Sequence, residues 1–276
     1  MQDPEKEGGR GWRYSLPSPP DLGEFMAHFY IYGDESGKLA ISDFTSFCGY
    51  VGHAEEFSRV MSEWDTCRFS WEAPPIHMRL VMNPERDKSG EWERLRAKSG
   101  KGWEGRRDAM LMDFSTILDD SRLACVGCVV DSNHFRKMPS SPWRDNMQDP
   151  LFLGLYTLIM NSLDKIDRVD KKSTVSLVVD DDPQYAKDCY DLLDALKTKF
   201  PRVNDRVTAI TFGDDSAYPA LQMADMIAFE ARSLMVKRLS APDYAATGLY
   251  TALTKRQIHQ PTFWSAEYLD RAAVIP

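Results

Sequence analysis

Residues His28 to Gly37, HFYIYGDESG, decide how the rest of the chain is read. The aromatic and branched run His28 to Asp34 predicts a strand. It ends on an acid, Asp34, and enters the turn Glu35-Ser36-Gly37-Lys38. An apolar strand with a carboxylate at its tip is how α/β folds present a ligand group at the edge of a sheet. Phe44 to Val51 predicts a second strand, so the two read as a hairpin. Upstream, eight of residues 1–24 are Gly or Pro and the apolar pattern is absent, which predicts a flexible tail with order beginning near Phe25.

Beyond the hairpin, Ala54 to Phe69 has helical spacing, with Phe57, Val60, Met61 and Trp64 on one face. Within residues 72–105, Pro74-Pro75 breaks the helix, a short apolar piece Ile76–Met82 follows, and Asn83–Gly105 is rich in Gly and charge. Between Arg79 and Arg107 nine Lys/Arg stand against five Asp/Glu, a local excess of +4, while the other residues carry −12. This stretch reads as an insertion or functional loop. Regular patterning then resumes. Arg107–Leu118 predicts a helix, Leu123–Val130 a buried strand, and Pro150–Ile166 a helix after a loop containing Pro and Ser. Thr174–Val179 predicts a strand, Pro183–Phe200 a helix, Val207–Phe212 a strand and Ala220–Val236 a helix. The last 40 residues are weakly patterned, with one more helix near Tyr244–Lys255. The order implies an α/β fold: a mixed sheet with helices on both faces and a basic insertion between the second and third strands. The domain would span 25–240, with the insertion at about 54–120 and a C-terminal extension at 241–276.

Length and composition agree with a soluble globular protein. The 276 residues are 43% hydrophobic and 28% charged, with a net charge of −8. These values exclude disorder as the main state and argue against a nucleic-acid coat protein. No apolar run approaches the roughly 18 residues of a membrane helix. The polar N-terminus shows no secretory signal, and five cysteines, sparse and odd in number, point to a reducing cytoplasm.

Three acids carry the chemical expectation. Asp34 and Asp180 end buried strands, and Asp225 lies in the helix LQMADMIAFE. In that helix Leu221, Ala224, Ile227, Ala228 and Ala231 form the buried arc, with Asp225 at its margin and Arg232 nearby. Ala224 and Ala228 would let the helix approach the sheet closely. Strand alternation puts Asp34 and Glu35 on opposite faces, so Glu35 joins the site only if the strand twists or ends before it. Asp182, before Pro183, reads as a helix cap. Converging carboxylates repel, and a divalent cation resolves the repulsion. Oxygen ligands suit Mg²⁺ or Mn²⁺, and two such ions can serve phosphoryl transfer.

The pair DESG at Asp34–Gly37 and LQMAD at Leu221–Asp225 resembles the two signatures of the bacterial family known as domain of unknown function number 3800. That family is similar to the ribonuclease H-like fold of metal-dependent nucleases. The resemblance covers about residues 28–236. It implies that the first and fourth strands are neighbours, which would set Asp34 beside Asp180. It also implies a Glu on the helix after the third strand, and Pro150–Ile166 has none. Asp149 reads there as a cap, and Asp131 as a substitute two strands from Asp34.

The expected function is phosphodiester hydrolysis in RNA or DNA. Asp34, Asp180 and Asp225 would bind the metal, with Glu35 and His77 as further catalytic candidates. Arg94, Arg96, Lys98 and Lys101 of the basic stretch would grip substrate, and Trp92 and Trp103 would offer stacking surfaces. His77 reads either as a packing residue or as a proton-transfer or phosphate contact. The alternative is a degenerate protein of the same fold acting through a protein partner or as a homo-oligomer. A third reading is an enzyme acting on nucleotides. Gly33–Leu39 lacks the spacing and Ser/Thr of a phosphate loop, and Cys125 and Cys128 read as core residues rather than half of a zinc site.

Overall fold

The structure, a computed structural model, describes residues 28–37, 42–147, 149–181, 186–255 and 259–273. The expected tail at 1–24 and the expected cap Asp182 lie outside them. The hairpin is present as strands β1 (His28–Ser36) and β2 (Phe44–His53), paired antiparallel from Phe29↔His53 to Ser36↔Ser46. Strand β3 (Ala124–Asp131) pairs antiparallel with β2, and β4 (Thr174–Asp180) pairs parallel with β1. Strand β5 (Val207–Gly213) lies parallel to β4. A short strand missing from the sequence reading, β6 (Thr262–Trp264), lies parallel to β3 and draws the chain after residue 241 into the sheet. The order is β5-β4-β1-β2-β3-β6.

Helices cover both faces of this mixed α/β sheet. One face carries α1 (Ala54–Ser70), α4 (Trp103–Asp119), α10 (Pro219–Ser240) and α11 (Gly248–Leu253), packed on Tyr32, Cys48, Tyr50, Cys125 and Val178. The other carries α7 (Pro150–Ile166), α8 (Ala186–Lys199) and α9 (Pro201–Arg206), packed on Ile31, Phe47, Val51, Leu177 and Val179. Helix α7 begins with Pro150 at its first position and Asp149 as cap, whose Oδ1 accepts from the Leu151 N–H at 2.7 Å. Two short helices, α5 (Ser132–Lys137) and α6 (Pro142–Met147), occupy the expected loop between β3 and α7, and α12 (Ala266–Ala273) follows β6.

Helix α10 differs from its expected one-sided burial. Every residue from Ala220 to Ala228 is buried, because α10 is packed between the sheet and α1, α4 and α11. A helix enclosed all round loses the amphipathic pattern that a surface helix shows. It approaches the sheet closely, as its alanines suggest: the Ser46 hydroxyl donates to the Ala228 carbonyl at 2.7 Å.

The basic stretch is folded and is not a solvated loop. It contains α2 (Met78–Met82), a 3-10 turn at Pro84–Arg86, α3 (Glu91–Ser99) and the start of α4. Trp92 and Trp103 are buried and meet edge to face at 6.4 Å, so they are core and not stacking surfaces. Few apolar residues hold this subdomain down, which is why charge dominates its sequence. Cys125 and Cys128 are free and buried in cores on opposite faces of β3. No helix among the described residues is long and apolar enough to cross a membrane.

Trp92→Ala should cost about 3–5 kcal/mol in urea unfolding, the range for a large aromatic removed from a core. A change near zero would return Trp92 to the surface.

Candidate active site

The acids collect at the edge of the sheet where β1, β4 and β5 end. The last paired residues of β1 and β4 are Gly33 and Val179, so Asp34 and Asp180 stand one step further along neighbouring strands. Tyr32 and Val178, two residues earlier on each strand, belong to the α10 side. Period-two alternation puts Asp34 and Asp180 on that same side. Asp34 is 6% exposed and Asp225, on α10, is 5% exposed. The three expected metal ligands therefore share one face.

The spacing in LQMAD has a direct structural reading. Gln222 and Asp225 are three apart and lie on one side of α10. Gln222 Oε1 accepts from the Ile76 N–H and from Trp64 Nε1, both at 3.0 Å. Its Nε2 donates to the Asp215 carbonyl at 2.9 Å. Asp225 Oδ2 accepts from the Met78 N–H at 2.5 Å and meets His77 Nδ1 at 3.1 Å. Two side chains of α10 thus fasten the backbone on both sides of His77 and hold the loop after β5. His77, for which the sequence allows either packing or proton transfer and phosphate contact, is tied to Asp225 and is 3.7 Å from Asp215 Oδ2.

Asp215 is the residue that sequence reasoning missed. It follows β5 in TFGDD, and β5 is parallel to β4, so both strands deliver acids to one edge. Extending the strand-tip rule to the third parallel strand would have found it. Its neighbour Asp214 is a turn former, accepting from the Ser216 N–H at 2.8 Å.

Glu35 corrects the opposite-face expectation. Strand β1 runs on to Ser36, yet Glu35 is hydrogen-bonded to Asp34, and its charge acts on both Asp34 and Asp180. Beyond Gly33 the parallel partner has ended, so a long side chain can turn round the sheet edge. Gly37 ends the DESG motif at φ +95°, where a Cβ would lie 2.5 Å from Arg232 Nε. Arg232 donates to Ser42 Oγ and the Phe44 carbonyl and braces the β1–β2 hairpin; it does not pair with Asp225. Asp131 caps α5 through the His134 N–H at 2.8 Å, and β2 separates it from β1, so it is no substitute ligand.

The electrostatics follow from the crowding. Burial first, then the charges of Asp225, Glu35 and Asp180, hold the Asp34 carboxyl well above the usual range. Burial, Asp215 and Glu35 push Asp180 up to about 7. Asp215 is raised by burial, against the lowering charge of His77. His77 is raised, chiefly by its hydrogen bond to Asp225. The site is a set of mutually repelling acids around one imidazole.

The expected substrate-gripping residues lie elsewhere. Arg94, Arg96 and Lys98 are on α3, which packs on α4, and Lys101 is in the turn after it. Arg96 pairs with Glu93 at 2.7 Å, Lys98 with Glu72, and Arg94 with Glu91 at 3.9 Å. Arg94 and Lys98 line an open cleft of about 450 Å³ with Glu72, Pro74 and Pro75, just before His77.

Stability should record this crowding. A carboxyl raised on folding weakens the fold as pH climbs from its unfolded value, and the loss is complete above its folded value, about 7 for Asp180. At pH 8, Asp180→Asn should therefore stabilise the metal-free protein by about 1–2 kcal/mol, a figure reduced for the group's partial exposure. The gain should shrink toward pH 5. Asp225→Ala should instead destabilise by about 1–3 kcal/mol, because the buried Met78 N–H loses its acceptor. Urea midpoints for both variants across pH 5–8 check the pair of signs; a pH-independent Asp180→Asn gain would remove the crowded site.

No protein-family model matches the chain, and no curated protein matches it.

Proposed function

We propose that the protein is a metal-dependent phosphodiesterase of ribonuclease H-like architecture, akin to domain of unknown function number 3800, that hydrolyses RNA or DNA. The observation that carries this reading is the meeting of Asp34, Asp180, Asp215 and Asp225 with His77 on one face of the sheet edge. Two further features support it. Antiparallel β2 flanks parallel β1 and β4 in the order that the DESG and LQ-x-AD resemblance implies. Those two motifs supply the acid and the helix side chains that organise the site.

The donor set fits a hard divalent cation, Mg²⁺ or Mn²⁺, because it is built mainly of carboxylate oxygens that repel one another. As the side chains stand, no three His, Cys, Asp or Glu groups among the described residues form a ready coordination set. Asp225 is turned to His77 and Met78, and Asp34 to Glu35. Asp34, Asp180 and Asp225 would hold the cation after Asp34 and Asp180 lose their protons. Once bound, it would lower the pKa of a water and offset charge on the phosphoryl oxygens. His77, held by Asp225 through Nδ1, is oriented to pass a proton at the site. Glu35 keeps a second acid next to Asp34 and Asp180. Tyr218, at the start of α10 and 44% exposed, presents the aromatic surface that the buried tryptophans do not.

The basic side chains of α3 would serve as an outlying grip. Their ion pairs are exposed and screened by solvent, so phosphates can replace the acids cheaply. The second reading, a degenerate binding protein, is favoured by one feature: α7 carries no Glu to complete the usual acid set.

Labelled RNA and DNA incubated with and without Mg²⁺ or Mn²⁺ test the proposal. Cleavage should require the cation and fall by about two orders of magnitude or more in Asp34→Asn. Cleavage surviving in chelator, or undiminished in Asp34→Asn, would defeat it. Intact binding with no cleavage of either polymer would select the degenerate reading. Changing Arg94, Arg96, Lys98 and Lys101 together to Gln should weaken binding and flatten its salt dependence while the saturating rate survives. An unchanged affinity and salt slope would remove these residues from substrate contact.

A further inference from the structure

At the opposite end of the sheet lies a second cavity, of about 860 Å³. It opens where β1 begins and β2 ends, about five residues, or roughly 17 Å of strand, from Asp34. Its volume is within the range of small-molecule sites. Phe29, Val51, Ile166 and Val169 give it an apolar lining, and Val169 is 71% exposed. The exposed His53 ring lies over Phe29 with centroids 4.0 Å apart, which presents a flat aromatic face at the wall.

Of the three cations that line this cavity, Arg59 is paired with Glu56 and Glu63, whereas Lys165 makes no carboxylate ion pair among the described residues. Lys165, half-buried near the end of α7, donates to His259 Nδ1 at 2.9 Å. Burial and then the Arg168 charge hold Lys165 below its usual range, and among the described residues no carboxylate hydrogen-bonds to it. Burial and the charges of Lys165, Lys255 and Arg168 likewise hold His259 below the usual range. Arg122 lines the cavity through an exposed side chain; its backbone N–H donates to Glu56 Oε1 at 2.6 Å, and its charge acts on that same carboxylate. The lining acid Glu56 is engaged by that N–H and by Arg59 at 2.7 Å. Glu55 and Asp120 are on the exposed rim. A half-buried lysine beside another cation is costly to keep charged, and a bound anion repays the cost.

We infer that this cavity binds an organic phosphate with a planar ring, of the mononucleotide type. Lys165 and Arg122 take the phosphate, and the ring lies against His53 over the apolar lining. The inference stands on this cavity alone and not on the carboxylate site.

Calorimetric titration of the whole protein, in chelator and low salt, tests it with adenosine monophosphate, inorganic phosphate, adenosine and a short oligonucleotide with a 5′-phosphate. Adenosine monophosphate should bind, and more tightly than phosphate or adenosine. Lys165→Gln and Arg122→Gln should each raise its Kd by about tenfold or more, the loss of one charge-assisted hydrogen bond. His53→Ala should erase the preference for adenosine monophosphate over phosphate. Asp34→Asn should bind as the wild type does. Tighter binding of the oligonucleotide would identify a strand end as the source of the phosphate; equal or weaker binding would identify the free nucleotide. If Lys165→Gln melts early, the exposed Arg122→Gln decides. No binding at millimolar concentration, binding untouched by Arg122→Gln, or binding lost in Asp34→Asn would each overturn the inference.

Discussion

The hydrogen bonds that α10 sends out through Gln222 and Asp225 are the constraint on which the rest of the site depends. Gln222 satisfies three groups from three parts of the chain: the Trp64 indole, the Ile76 N–H and the Asp215 carbonyl. Each partner is buried or half-buried, so leaving any one unmade would cost more than the modest net value of a hydrogen bond in water. The helix can do this because it is enclosed by the sheet on one side and by α1, α4 and α11 on the other. Its apolar length supplies the burial, and two polar residues spend part of that stability on placing a histidine and an acidic loop.

The electrostatic side has the opposite sign. Asp34, Asp180 and Asp215 are each raised first by burial, and each is also raised by a neighbouring carboxylate. Only His77 contributes a compensating positive charge within the set, through Asp225 and Asp215. Folding alone therefore leaves the site unfavourable in charge, and the surrounding core carries the cost. Such arrangements persist in chains where the strained groups have a use beyond the fold.

Much of this was legible in the sequence because strand tips announce themselves: an apolar run that ends in Asp is visible at Asp34 and Asp180. Asp215 is harder to see. Strand β5 is at the sheet margin, where five of its seven residues are accessible and the apolar signal is weak, and the acid sits in a turn that needs polar residues anyway. The basic stretch misleads for a related reason. A helical subdomain anchored by Trp92, Leu95 and Trp103 needs few apolar positions, so its surface dominates its composition. Helix α10 hides its full burial because Gln222, Met223, Asp225 and Met226, off its expected arc, are covered by other elements that the spacing along α10 itself does not reveal. Strand β6 is three residues long, too short for any period to show.

The parallel pairing of β1 with β4 also sets an order in time. Asp34 and Asp225 are 191 positions apart in the chain, and the neighbours of Asp34 are separated from their β4 partners by more than a hundred residues. Contacts of this span pay their loop-closure entropy before they return any stability, which slows folding. At the usual pace of synthesis, roughly ten to forty seconds pass between the emergence of the first acid and that of the helix which completes the site. Until β4 emerges the hairpin of β1 and β2 has an open edge, and until α10 follows it has an uncovered apolar face. The carboxylates come together only when nearly the whole domain has been made, so a truncated chain would carry the acids without ever gathering them.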